Sequence, residues 1–308
     1  GVAEALAQEL TETLIAEVMQ SKDAREKGVL TLKQPVMFGQ PEADYLVEIA
    51  VRAAGEGVAA VDELKKQCKA LRGNLKAMKT AAGGTALYAG IEGALFGRFV
   101  TSDILSRMDA SVHVAHAFTV HANATEVDYF SVVDDLKTAD EDAGAAHVGD
   151  MELGAGIFYG YVVVDVPLLV SNITGCERRE WAGQSEGLAD AGKVIEALAQ
   201  AVATVSPGAK LGPTAPYAYT DYMLLEAGRA QPRSLANAFL RAVPLRGDCM
   251  GQALSSMDRY VQSLDEMYGV AGERFVAATS TDVSTPAAVR GTLAASIAGV
   301  IEAAVGAR

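Results

Sequence analysis

Two stretches of strict two-residue periodicity, held apart by a long insertion, constrain this chain more than any other feature. Val112, Val114, His116, Phe118 and Val120 alternate with His113, Ala115, Ala117 and Thr119, the pattern of a half-buried strand. A second strand pattern runs from Ile157 to Asp165 and holds Phe158, Tyr159, Tyr161 and three valines. Between them lie 36 residues, 121–156, too many for a hairpin turn. That insertion carries short apolar pieces, Val127–Val133 and His147–Leu153, on either side of an acidic tip at Asp140, Glu141 and Asp142. The expectation is a pair of strands with a long hairpin arm projecting between them.

The flanking regions read as helix. Leu6, Leu10, Leu14 and Val18 share one face of a helix over 2–20. Pro35, Gly39 and Pro41 mark a loop before helical signal at 42–54 and at 58–80. In the latter, Leu64, Cys68, Leu71, Leu75 and Met78 form an apolar stripe, and Lys65, Lys69, Arg72, Lys76 and Lys79 follow one residue along, with Lys66 beside them. No acid falls between 65 and 79, so one face can pack while its neighbour presents cations. Small residues crowd 81–97 without a phosphate-loop motif, which points to close helix packing. Beyond the second strand come a helix at 184–205, a Pro/Gly loop at 207–216, a strand at 217–225 and helices at 234–243 and 250–268. A strand at 274–279 and a last helix starting near Pro286 follow.

The fold class is α+β. The order β–arm–β–α–β, given one more strand and a helical segment in front, completes the ferredoxin-like order that RNA-recognition modules also use. Its first strand would lie before Gly1. No signal-peptide pattern opens the chain, and we expect the native start to have been lost or processed away.

Charge narrows the function. The net charge is −13, which taken whole disfavours nucleic acid, because phosphates need local cations. The charge is segregated, however, with −7 in residues 1–64, +5 in 65–110, −8 in 111–160 and −3 in 161–308. No run of eighteen apolar residues exists, so no membrane span is expected. Three scattered cysteines, Cys68, Cys176 and Cys249, suggest a reducing, cytoplasmic setting.

No catalytic or metal constellation emerges. His113 and His116 on one strand point to opposite faces, and with His121 and His147 they read as structural. Asp134, Asp135, Asp140, Glu141 and Asp142 lack EF-hand order and read as a solvated loop tip. No cofactor is expected. What remains is the basic stripe and two aromatics beside polar groups: Phe99 after Arg98, and Phe130 after Tyr129 in the arm. An aromatic near a cation suits base stacking with phosphate contact.

Ordered strings along the chain carry a resemblance. They are ALFGRF (94–99), VAHAFTVH (114–121), DYFSVVDDL (128–136), AHVGDMEL (146–153), FYGYVVVDV (158–166), VSPGAK (205–210) and SLANAF (234–239). In this order and spacing the chain resembles the Cas-seven backbone family of CRISPR complexes, in particular the CasC subunit of type I-E Cascade. The resemblance implies helical fingers over 1–110, an RNA-recognition-like palm over 111–121 and 157–308, and a β-hairpin thumb over 122–156. It implies copies stacked along one CRISPR RNA, each thumb kinking the RNA so that guide segments pair with target DNA. The implied partners are CRISPR RNA, target DNA, further copies of the chain and the subunits CasA, CasB, CasD and CasE, with a recruited helicase-nuclease doing the cutting. No catalysis is implied for this subunit.

Carried over residue by residue, Phe99 and Phe130 match the wedges that replace base–base stacking at the kink. Arg98, Lys210 and Arg246 match positions that could meet phosphate. Lys65, Lys66, Lys69 and Arg72 match a basic finger helix that approaches the target duplex. The pattern departs at Leu211–Gly212, Gly160 and Pro244, and the family's opening strand and its basic segment are not in this sequence. A rival reading takes Asp134 or Asp135 as the cleaving aspartate of type III backbone subunits.

Overall fold

The computed structural model describes residues 3–19, 25–26, 29–30, 37, 39–71, 90–98, 108–123, 125–132, 147–206, 215 and 217–306. In chain order the helices are α1 (Glu4–Met19), α2 (Gln40–Ala54), α3 (Ala60–Leu71), α4 (Gly90–Phe96), α5 (Val166–Thr174), α6 (Ser185–Thr204), α7 (Cys249–Tyr268) and α8 (Leu293–Gly306). The strands are β1 (Arg25–Glu26), β2 (Val29–Leu30), β3 (Val112–Val114), β4 (Phe118–Thr119), β5 (Thr125–Val132), β6 (His147–Gly154), β7 (Phe158–Tyr159), β8 (Val162–Val164), β9 (Tyr222–Ala227), β10 (Glu273–Ala278) and β11 (Ala288–Arg290). The architecture is a mixture of helices and small sheets, divided into two compact units.

The first unit comprises Gly1–His113, Val162–Thr220 and Ile297–Arg308. Its α1, α2 and α3 share a core of Leu10, Val18, Leu46, Ile49, Ala53, Ala60, Leu64 and Cys68. Leu64 and Cys68, the first two residues of the predicted stripe, are fully buried on α3, as is Ala60 one turn before them; the side chains of Leu71, Leu75 and Met78 lie outside the described residues. Helix α2 starts at Gly39, whose N–H donates to the Glu42 carboxylate at 3.3 Å, with Pro41 in the first turn. A second core packs Ala94, Leu95, Val112, Leu169, Val170, Ile173, Leu188 and Ala191. Helix α5 there is capped by Asp165, which accepts from the Leu168 N–H at 3.0 Å, and it stops at left-handed Gly175. Gly187 lets α6 lie against α5, since a methyl there would fall 2.3 Å from the Thr174 side chain.

The second unit comprises Val114–Tyr161 and Asp221–Ser296. Strand β10 pairs antiparallel with β9 and parallel with β11. Val120, Leu235, Phe239, Val243, Ala253, Met257 and Val261 form its core. Strand β4 pairs with β7, and between them the chain leaves as the β5–β6 hairpin. The predicted alternation at 112–120 is realised as two short strands, β3 and β4, interrupted at 115–117. The stretch 157–165 is likewise split into β7 and β8.

Two predicted helices are revised. Residues 234–243 hold only a 3-10 turn at Ala236–Phe239, because Val243 leaves it to donate its N–H to Val120 at 2.9 Å. The segment after Pro286 first forms β11, and α8 begins at Leu293. Among the described residues no helix is long and apolar enough to cross a membrane.

One buried charge cluster organises the second unit. The Arg274 side chain, fully buried, donates Nε–H to Glu226 at 2.6 Å, Nη2–H to Asp265 at 2.6 Å and Nη1–H to the Pro286 carbonyl at 3.0 Å. Arg233 reaches the same Asp265 at 3.2 Å. A separate chain runs from the Tyr222 phenol to Thr285 and on to Asp258, and burial pushes the Tyr222 phenol up to about 12.

Candidate nucleic-acid interface

Phe130 lies on β5, in a hairpin whose eight paired positions run from Thr125↔Gly154 to Val132↔His147. Its direct cross-strand partner is Gly149. A methyl built on Gly149 would meet the tip of the Phe130 ring at 2.7 Å, so the ring occupies the space a side chain would take on β6, an aromatic covering a glycine. The His147 ring stands 5.8 Å from it, tilted by 46°. Phe130 is thus held from one side and is still 41% exposed. Its position is therefore fixed by contacts within the hairpin itself.

Among the described residues nothing covers the rest of the hairpin. Every residue of β5 and β6 except Gly149 and Met151 is exposed, including Val127, Tyr129, Val132 and Val148. A two-stranded ribbon is marginal in water without a packed face, and apolar side chains displayed this way mark contact surface. The two strands carry Glu126, Asp128, Asp150 and Glu152 and no lysine or arginine. Attraction to phosphate is therefore not what these two strands offer; their exposed apolar and aromatic side chains are.

The hairpin's foot is fixed by His121. Its Nδ1 faces the Ala122 carbonyl at 2.8 Å, and its Nε2 accepts the Ile157 N–H at 3.1 Å. That pair of bonds selects the neutral ring with the proton on Nδ1. Gly156 is required beneath it, because a methyl would fall 2.7 Å from Nε2. Among the described residues no group of three or more metal-ligating side chains occurs.

The basic face of α3 is partly described. Lys65, Lys66 and Lys69 are exposed, with Lys65 and Lys69 on the face beside the buried Leu64 and Cys68. Lys66 lies 3.4 Å from Glu63, whose carboxyl is held below the usual range, chiefly by the Gln67 side-chain hydrogen bond and secondarily by Lys66. Lys65 and Lys69 have no carboxylate partner among the described residues, and at this surface even the Lys66 pair is weak. Arg72, Phe99, Lys210, Asp134 and Asp135 lie outside the described residues.

Arg98 is placed differently from the reading that made it a phosphate contact. Its side chain is 3% exposed and Glu42 is 1% exposed. The guanidinium grips Glu42 bidentately, with Nη2–H donated to Oε1 at 2.7 Å, and also donates to the Met37 carbonyl at 3.1 Å. Engaged this way, it would have to break a buried fork to reach a phosphate. Its backbone pairs with Met108 in both directions, at 2.8 and 3.1 Å. Gly97, at φ +73°, has no room for a side chain, since a methyl would lie 2.6 Å from the Met108 carbonyl. Nearby, Ser111 and Asn172 both donate to the Ala94 carbonyl, and Asn172 also donates to Asp109. These bonds fasten the chain on both sides of residues 99–107. Sequence reading missed Glu42 and Asn172 as members of this clamp. The signal available was an acid in the first turn of α2, which serves a helix start equally well.

Arg246 is exposed. Its backbone is tied down, the carbonyl accepting from Gln252 at 3.1 Å, while Gly247 turns at φ +73° and Asp248 caps α7 by accepting the Gly251 N–H at 2.8 Å.

With this geometry in view, the comparisons with known proteins are specific. No curated protein matches the chain. A chain of a solved "CRISPR RNA-guided surveillance complex, pre-nicking" superimposes with a TM-score of 0.75 at 21% identity, covering 97% of this chain and 79% of that one. A second, from a "CRISPR RNA-guided surveillance complex", gives a TM-score of 0.58 at 25% identity, covering 76% and 83%. The first of these likenesses concerns fold. The family described as CT1975-like protein matches residues 1–303, and the chain therefore belongs to the CT1975-like protein family.

Proposed function

We propose that this chain is a non-catalytic backbone subunit of a CRISPR RNA-guided surveillance complex, of the CasC kind found in type I-E Cascade. Copies polymerise along CRISPR RNA, and the Thr125–Gly154 arm acts as the thumb that kinks it. The palm is an RNA-recognition-like core, and α1–α3 belong to the fingers. The partners are CRISPR RNA, target DNA, further copies, CasA, CasB, CasD and CasE, and indirectly a helicase-nuclease. The observation that carries this reading is Phe130: one side seated on Gly149, the other open to solvent, in a hairpin whose two strands carry acids and no lysine or arginine.

An unstacked base beside a kink loses its neighbour, and a fixed aromatic edge replaces that contact without an ordering cost. Phe130→Ala should leave the monomer folded, because the ring covers only one glycine and one histidine edge. It should weaken ordered assembly on CRISPR RNA about tenfold or more. Native mass spectrometry with repeat-containing RNA checks this. A normal ladder of RNA-bound species from the variant removes the thumb assignment.

On this reading the α3 lysines meet the target duplex. Each of Lys65→Ala, Lys66→Ala and Lys69→Ala should lower the salt dependence of duplex binding by about one in log–log slope. Binding by the RNA-loaded assembly, titrated at several salt concentrations, measures it. Unchanged slopes for all three would place the DNA elsewhere.

A further inference from the structure

Residues 217–220 form a second aromatic feature that the thumb and finger surfaces do not use. Tyr217 is 74% exposed and Tyr219 is 71% exposed, and the backbone between them is firmly held. The Ser206 hydroxyl donates to the Ala218 carbonyl at 2.9 Å and accepts the Ala218 N–H at 3.1 Å. Both polar groups of Ala218 therefore point the same way, which happens when a residue is extended. Thr220 donates its N–H to the Ala203 carbonyl at 2.9 Å, and Tyr217 donates to Ala215 at 2.8 Å. The segment is tied to Ala203 in the last turn of α6 and to Ser206 just beyond it, and it displays two large rings to water.

Extended geometry sets the spacing. Side chains at i and i+2 leave on the same side, about 6.5–6.8 Å apart. Stacked bases repeat about every 3.4 Å. Two rings turned face to face at that spacing would admit one aromatic plane between them. Tyrosine offers a π-face with few rotatable bonds, so little entropy is lost when a plane enters.

We propose that Tyr217 and Tyr219 form a sandwich clamp for one unpaired nucleobase of single-stranded RNA. This rests on the RNA-binding reading above and adds a base contact separate from Phe130. Recognition is by the flat face, so the clamp tolerates any base. A protein side chain is disfavoured as occupant, because an aliphatic group is wider than the slot and leaves both ring faces poorly covered.

The test uses the whole chain and a short, unstructured, fluorescein-labelled RNA, with binding read by anisotropy. Tyr217→Ala and Tyr219→Ala should each weaken binding about tenfold. The Phe variants at both sites should bind as the parent does, and the Leu variants, with bulk but no π-face, should behave like Ala. The salt slope should stay constant, because no phosphate contact is lost. In a second arm, 2-aminopurine in the RNA should be quenched by the parent and less so by the Ala variants. If both Ala variants bind normally while Phe130→Ala does not, the clamp is wrong and the RNA reading stands. If the parent binds no RNA, the RNA reading falls and takes the clamp with it. If the Ala variants bind RNA normally but lose self-association, the tyrosines contact protein and the clamp is refuted.

Discussion

Arg98→Ala should cost about 3–5 kcal/mol of folding stability, because it strands a carboxylate that is 1% exposed. Glu42 would keep the 3.3 Å bond from the Gly39 N–H and lose both arms of the guanidinium fork. One backbone donor cannot compensate a buried charge. Arg98→Lys should recover little, since an ammonium cannot match the fork and also reach the Met37 carbonyl. The pair Arg98→Met with Glu42→Leu should fall well short of the summed single losses, since neither charge is then orphaned. Denaturant unfolding of the parent, of Arg98→Ala, Arg98→Lys, Arg98→Met and Glu42→Leu, and of the double variant measures this. A stable Arg98→Ala protein with weakened RNA binding would instead return Arg98 to the phosphate-contacting role that its sequence position suggests.

Arg274→Ala should destabilise the second unit by about 3 kcal/mol. Its place is similar to that of Arg98, with a fully buried side chain between Glu226 and Asp265. Arg233 stays within 3.2 Å of Asp265 and 3.8 Å of Glu226, so the acids retain part of their compensation and the loss sits at the lower end for a buried pair. The Arg274 side-chain hydrogen bond holds the Asp265 carboxyl below its usual range, and its bonds to Asp265 raise Arg274 above its own. A carboxyl whose folded-state pKa is depressed contributes stability above its unfolded pKa, near 3.9, and loses it as the pH falls through the folded value. Arg274 stays charged throughout. The parent should therefore lose stability below about pH 4, and Arg274→Ala should show a shallower acid loss. Thermal unfolding at a series of pH values checks it. Parallel curves for the two proteins would sink the linkage.

What was legible in the sequence followed period and spacing. The start of the stripe, Leu64 and Cys68, gave the inner face of α3, and the arm was visible as too many residues between two strands. Where periodicity is ambiguous the reading slipped. Helix α5 has no counterpart in the sequence reading, which ends the strand at Asp165 and starts the next helix at 184. The punctuation that marks it is Asp165, Pro167 and Gly175, around a run too short to show a clear helical period. At 234–243, Leu235, Phe239 and Val243 repeat every four residues and are buried, which imitates a helix. They meet in one core after a single turn and a β-bridge from Val243 to His121.

The candidate site shows the same division. Phe130 was identifiable as an aromatic on the arm, but not the glycine opposite it, because register fixes Phe130↔Gly149 and a sequence does not state register. Arg98 beside Phe99 looks like a cation and a stacking ring. Its true partner is 56 positions away in sequence, and nothing local announces a buried ion pair. The tyrosines at 217 and 219 were read only as part of a strand, since exposure is what distinguishes them.

The central claim is that copies of this chain assemble in register along RNA through the arm. Native mass spectrometry of the chain with repeat-containing RNA of increasing length tests it most directly. The account predicts a ladder in which each fixed increment of RNA adds one copy, collapsing for Phe130→Ala while the monomer stays folded. One copy per RNA at every length, in parent and variant alike, would contradict it.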